Sequence, residues 1–114
     1  MKRETPLLVH HFLEQSASRH PESIAVIHDE VRASYKEVNT RANQLASFLI
    51  RMGVRRGDRV VLMFENCLEY VVGYYGTLKT GAVSVPMSTD LKPDGLKHLL
   101  AEIEPAVIMS SNRF

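Results

Sequence analysis

With 114 residues, 45% of them apolar and 24% charged, the chain has the composition of a globular piece with one modest core. A formal charge of +1 excludes the broad electrostatic field that would advertise nucleic acid or an acidic membrane as a partner. The single cysteine, Cys67, excludes an internal disulfide and fits a reducing compartment. No apolar run has the length of a membrane span or the character of a signal core, so a cytoplasmic location is expected.

Thr5 and Pro6 read as the N-cap and first position of a helix that carries Leu8 and Phe12 and stops before His20-Pro21. Ile24-Ala25-Val26-Ile27, a turn at Asp29-Glu30, and Val31-Arg32-Ala33 form a small antiparallel hairpin. Ser34 and Glu37 stand at capping-box spacing, where each side chain can satisfy a backbone donor of the other residue. The helix they open places Tyr35, Val38, Ala42, Leu45, Ala46 and Leu49 on one apolar stripe. Gly53 ends it as a left-handed cap.

Basic residues cluster from Arg51 to Arg59, broken by Asp58 and two glycines, and read as a solvated loop. After the turn at Gly57-Asp58, Val60-Val61-Leu62-Met63-Phe64 is a continuous apolar run of the kind buried on both faces of a parallel sheet. Asn66 and Glu69 repeat the cap-plus-acid spacing before a helix from about Cys67 to Thr80 that is apolar nearly all round. Gly81 stops it, Val83-Ser84-Val85 is a short strand, and Pro86 ends that strand. Pro93 opens a last helix through Leu96, Leu99, Leu100 and Ile103, Pro105 closes it, and Ala106-Val107-Ile108-Met109 is the final strand.

The fold class is therefore α/β: a partial, open parallel sheet with flanking helices and a small antiparallel hairpin. No repeat, linker or low-complexity tract divides residues 1–114, so one unit without an internal boundary is expected. A sheet of this kind leaves an unpaired edge and uncovered apolar surface, as a piece of a larger domain would.

Residue types that carry chemistry are scattered. His10 and His11 are adjacent and diverge by about 100° on a helix, while His20, His28 and His98 fall in three other elements. None has a carboxylate or cysteine at metal-ligand spacing, so all read as surface or boundary histidines. Cys67 begins a helix, whose dipole lowers a thiol pKa. It lacks a base nearby in sequence and reads as an unreactive buried cysteine, with a contact to His98 left open. Gly53 and Gly57 lack the Gly-Lys-Ser/Thr ending of a phosphate loop. Gly73 and Gly76 read as close-packing positions, and Tyr70, Tyr74 and Tyr75 as core aromatics. Ser84, Ser88, Thr89 and Asp90 lie at or past the carboxyl end of a strand, where open α/β sheets bind ligands and where a polar turn would also sit. Lys92 is the one residue nominated to meet an anionic ligand.

Five segments in order carry a resemblance: Ser34-Tyr35-Lys36-Glu37-Val38; Arg41 to Ala46; Gly53 to Val60; Glu65-Asn66-Cys67-Leu68-Glu69; and Leu78 to Met87. From about Leu7 to Met109 the chain resembles the start of the large N-terminal domain of the adenylate-forming superfamily. That group includes acyl-CoA synthetases, acyl-AMP ligases and the amino-acid-activating domains of peptide synthetases. The resemblance implies a parent ligase in which a carboxylate attacks the α-phosphate of ATP, with Mg²⁺ assisting, to give an acyl-adenylate and pyrophosphate. A thiol, of coenzyme A or a carrier-protein arm, then displaces AMP. The family's ATP-handling parts are a Ser/Thr/Gly-rich loop with a lysine, a later acidic residue and a C-terminal lysine. None has a counterpart in this sequence, so no catalytic residue is assigned. The chain alone is expected to be inactive and to bind no ATP, Mg²⁺ or CoA.

Amino-acid-activating members tend to read Gly-Ala-Ala-Tyr-Val-Pro-Leu/Ile-Asp where this chain reads Gly81 to Ser88, with Val83, Ser84 and Ser88 in place of the alanine, aromatic and aspartate. That departure tilts the expectation towards acyl-CoA or acyl-AMP ligases. The partner implied is the rest of the parent enzyme, with self-association through the sheet edge as a further expectation. Two other readings stand beside this one. The first is a free-standing, non-catalytic interaction module derived from the subdomain. The second is a small doubly wound nucleotide-binding protein, which fits the elements but lacks a phosphate motif.

Overall fold

A computed structural model describes residues 9–65 and 67–111. The expected cap at Thr5-Pro6, Leu8 and Asn66 lie outside the described residues. In chain order the elements are α1 (Val9–Arg19), β1 (Ile24–His28), β2 (Val31–Ser34), α2 (Tyr35–Arg51), β3 (Arg59–Met63), α3 (Leu68–Lys79), β4 (Val83–Pro86), α4 (Pro93–Ile103) and β5 (Val107–Ser110).

The hairpin forms as expected, with His28 opposite Val31 and Ile24 opposite Ser34, and its register shifts between Ile24 and Val26. Asp29 takes the left-handed conformation at φ 54°, which a short polar side chain tolerates in a tight turn. Its last residue, Ser34, caps α2. The Ser34 amide donates to Glu37 Oε1 at 2.9 Å and the Glu37 amide donates to Ser34 Oγ at 3.1 Å. Ser34 is 6% exposed, so no water can replace its hydroxyl freely. Ser34→Ala is therefore expected to cost about 1 kcal/mol, read as a lowered urea midpoint at unchanged slope.

The parallel sheet has the order β4-β3-β5. Val60 and Leu62 pair with Ser84 and Pro86 on one side, and with Val107 and Met109 on the other. The central position explains why β3 is apolar at successive residues: Val60, Val61 and Leu62 are fully buried and Met63 nearly so. Val60, Leu62, Ser84 and Met109 face α3. The chain leaves β3 for β4 through α3 and returns across β3 to β5 through α4. Two right-handed crossovers in opposite directions put the two helices on opposite faces of the sheet. The guanidine Nε of Arg59 donates to the Ile103 carbonyl and ties the end of α4 to β3. On this second face Val83 and Ile108, on the outer strands, each remain 48% exposed.

The interior is two adjoining clusters. Leu13, Ala33, Val38, Ala42, Leu68 and Val72 join α1, the hairpin, α2 and α3. Leu49, Val54, Val60, Leu62 and Ala82 join α2 to the sheet, and Leu45 packs against both groups. α3 lies between them, and Glu69 is its one exposed residue, in keeping with its apolar composition. Tyr70 stacks on Tyr74 with centroids 6.3 Å apart, and Tyr75 meets Tyr74 edge-on at 5.4 Å, all three half-buried against the core. Gly53 and Gly81, both at positive φ, follow α2 and α3 and release the chain into the next turn.

Three boundaries differ from the sequence reading. The N-cap of α3 is Cys67 rather than Asn66, and its side chain makes no capping bond. Starting one residue later moves Glu69 to the second helical position, out of capping-box register. Phe64 lies past the end of β3, and β5 runs from Val107 because the Ala106 amide is already spent on the Arg59 carbonyl at 2.8 Å.

Candidate functional site at the carboxyl edge of the sheet

Because β3, β4 and β5 are parallel, their carboxyl ends share one edge, the edge at which open α/β sheets present ligand-binding loops. Two backbone bonds extend the pairing there. The Met87 amide donates to the Leu62 carbonyl at 2.9 Å and the Ser111 amide to the Met63 carbonyl at 3.4 Å. The segment from Met87 to Asp90 is thus anchored at its root on the buried central strand. The Asp90 amide donates to Ser88 Oγ at 3.0 Å, which makes Ser88 to Asp90 a polar turn leading towards α4.

The sequence candidates separate at this point. Ser84 is not an edge residue: its hydroxyl donates to the Tyr74 carbonyl at 3.1 Å and pins β4 to α3. Lys92 occupies the N-cap position of α4, with an exposed side chain that makes no hydrogen bond or ion pair among the described residues. Its carbonyl accepts from the Leu96 amide at 2.9 Å, so Lys92 also opens the helix. Ser111 was not among the sequence candidates, yet its Oγ is buried at this edge without a partner among the described residues. A serine after a short strand carries no sequence signal of that kind.

Elsewhere, Cys67 shares an apolar cavity of about 410 Å³ with Val26, Ile27, His28, Tyr70 and Val71. The histidine near it is His28, brought by the hairpin. His98 lies on the exposed side of α4, paired with Glu102 at 2.9 Å. The helix start does not lower the Cys67 thiol. Burial pushes its pKa up, and although the Tyr70 amide pulls it down, the Glu69 carboxylate adds to the rise. A thiol held protonated is a poor nucleophile.

The Arg51 to Arg59 cluster forms an exposed turn in which the Asp58 carboxylate accepts the Arg55 amide at 2.7 Å. Among the described residues, no group of three or more His, Cys, Asp and Glu side chains is placed to hold a metal ion. The glycines at positive φ, Gly53, Gly57 and Gly81, lie in turns. What the described residues build is a scaffolded edge at the carboxyl ends of the parallel strands.

Sequence and fold agree on its kinship. Residues 13–113 match the AMP-binding enzyme family, and the chain belongs to that family. It is 36% identical over 100 residues to a dimodular nonribosomal peptide synthase from Bacillus subtilis, covering 88% of this chain and 4% of that protein. The structure of VinN superposes with a TM-score of 0.91 at 27% identity, over 98% of this chain and 30% of VinN. The N-terminal domain of FACL13 from Mycobacterium tuberculosis, solved with an inhibitor, superposes with a TM-score of 0.85 at 31% identity, over 90% of this chain and 26% of that one. The chain thus spans at most 4% of the length of such curated peptide synthetases, and under a third of the matching solved chains. The architecture is that of the N-terminal subdomain of adenylate-forming enzymes, and no described helix is long and apolar enough to cross a membrane.

Proposed function

We propose that residues 1–114 are the N-terminal portion of the large domain of an acyl-activating ligase. The complete enzyme joins a carboxylic acid to ATP as an acyl-adenylate, with Mg²⁺, and passes the acyl group to CoA or a carrier thiol. One observation carries this reading: the family match spans residues 13–113, and the same residues take up the family's N-terminal fold. The work of this portion is to hold the carboxyl edge and its loop, from Met87 to Asp90, in place for parts supplied elsewhere. Lys92, exposed at the start of α4, is the described side chain offered to an anionic ligand there. The outer strands, through Val83 and Ile108, offer surface to the rest of the enzyme or to a second copy. With one cysteine, Cys67, kept as a thiol, we place the protein in the cytoplasm.

The substrate range is wider than the Gly81 to Ser88 segment suggests. Ser84 marks that departure from amino-acid-activating members, yet its hydroxyl is engaged in packing β4 on α3. Peptide synthetases are among the relatives, and VinN has been solved with L-aspartate. The proposal therefore takes in amino acids as well as aliphatic and aromatic acids.

ATP–pyrophosphate exchange tests it. No exchange is expected from the 114-residue chain, and exchange is expected once it is joined to the downstream coding sequence. Exchange by the short chain alone would overturn the account. A stop codon directly after Phe114 in the gene would favour the non-catalytic interaction module, for which the exposed outer strands are the supporting feature.

A further inference from the structure

We propose that α1 is an acid-releasable clasp, held on the end of α3 by Glu14 and Lys79 and loosened when His10 takes up a proton. Its apolar hold is thin. Leu13 is the one residue of α1 described as buried, and Phe12 beside it is 58% exposed. Beside it stands a polar tie: Lys79 Nζ donates to Glu14 Oε2 at 2.6 Å, and the Lys79 side chain is only 6% exposed. His10, one turn before Glu14, lies edge-on to the His11 ring with centroids 4.5 Å apart. His10, Lys79 of α3 and Arg56 of the loop before β3 line one groove of about 460 Å³. The groups around His10 are therefore His11 and Glu14 on its own helix, Lys79 on α3 and Arg56 across the groove.

A proton added to His10 enters a place already supplied with two cations and one carboxylate. Burial, His11 and Lys79 hold the His10 pKa below its ordinary 6.5, against the pull of Glu14. Burial raises the Glu14 pKa, but the Lys79 hydrogen bond and charge, with His10 and His11, outweigh it and hold the carboxyl below 4.5. Both shifts act in the same direction. Released α1 binds more protons than docked α1, so docking is firm above pH 6.5 and weakens as pH falls through that value. It weakens further as pH falls through 4.5, where the free Glu14 carboxyl protonates. An 11-residue helix is marginal in water, so released α1 unfolds and uncovers the cluster that Leu13 shares with Val38, Val71 and Tyr75.

Amide hydrogen exchange of the chain from pH 7.5 to 5.0, corrected for intrinsic rates, reads the clasp directly. Protection across α1 is expected to fall severalfold relative to α2. His10→Asn is expected to flatten that fall, and His11→Asn, which removes one of the groups that depress His10, to reduce it only in part. The His10 ring, titrated by NMR, is expected to show a pKa below 6.5. Protection of α1 that follows α2 at every pH would overturn the proposal. So would an undiminished fall in His10→Asn, or a ring pKa at or above 6.5.

Discussion

Gly76→Val is expected to destabilise the chain by about 3 kcal/mol, with the loss read as a lowered urea midpoint. A Cβ at Gly76 would stand 2.8 Å from Leu45 Cδ2, 3.1 Å from Leu45 Cβ and 3.1 Å from the Ala42 carbonyl oxygen. The Leu45 methyl can rotate away, but the carbonyl belongs to the backbone of α2 and moves only if the helices part. Separation would loosen the contact on which both core clusters depend. Gly76→Ala presents the same Cβ but gains about 1 kcal/mol of helix propensity, so its net cost is expected to be smaller, about 1 kcal/mol. Gly73 supplies the control. A Cβ there meets its nearest neighbour, Leu62 Cδ2, at 3.5 Å, an ordinary contact. Gly73→Ala is therefore expected to be neutral or stabilising by up to about 1 kcal/mol. Equal losses at the two glycines would remove the close-approach explanation.

Leu62→Ala is expected to cost about 3–4 kcal/mol, a large share of what a piece of this size has to lose. Leu62 is fully buried in the central strand, paired with Pro86 on one side and Met109 on the other. Its side chain reaches the flat face of α3 left by Gly73, and its carbonyl receives the Met87 amide. The cavity would open directly beneath the anchor of the Met87 to Asp90 segment. In the complete enzyme, faster amide exchange at Met87 should accompany the loss of stability. Ile108→Ala, on the outer strand and 48% exposed, removes a side chain of the same size and is expected to cost under about 1.5 kcal/mol. A comparable cost at both positions would mean that the second face of the sheet is packed far more tightly than its exposure indicates.

Much of the scaffold was legible because its signals are local. Ser34 and Glu37 are three residues apart, and a capping box needs nothing from the rest of the chain. The apolar run Val60 to Met63 requires cover on both faces, and the strand–helix–strand spacing leaves parallel pairing as the way to supply it. The ligand-bearing edge was legible only in part. Ser88 to Asp90 lie there as a polar turn, while Ser84, inside β4, turns back to the Tyr74 carbonyl. Pleat direction decides that, and the pleat direction follows from which face α3 covers. Cys67 makes the same point: sequence could offer it a helix dipole, but its titration is governed by burial and by Glu69, with His28 delivered by the hairpin.

By itself the sequence determined the elements, their order, the parallel sheet and the kinship with adenylate-forming enzymes. These follow from periodicity, caps, glycine stops and short motifs, whose physics acts over a few residues. Only the tertiary structure decided which groups meet. It alone set Gly76 against the Ala42 carbonyl, gave Cys67 to His28 rather than His98, and left Lys92 without a partner among the described residues. It also brought Glu14 to Lys79 across 65 residues of chain. Such contacts depend on how closely two helices approach and which face of a sheet each covers, and no local pattern encodes that distance.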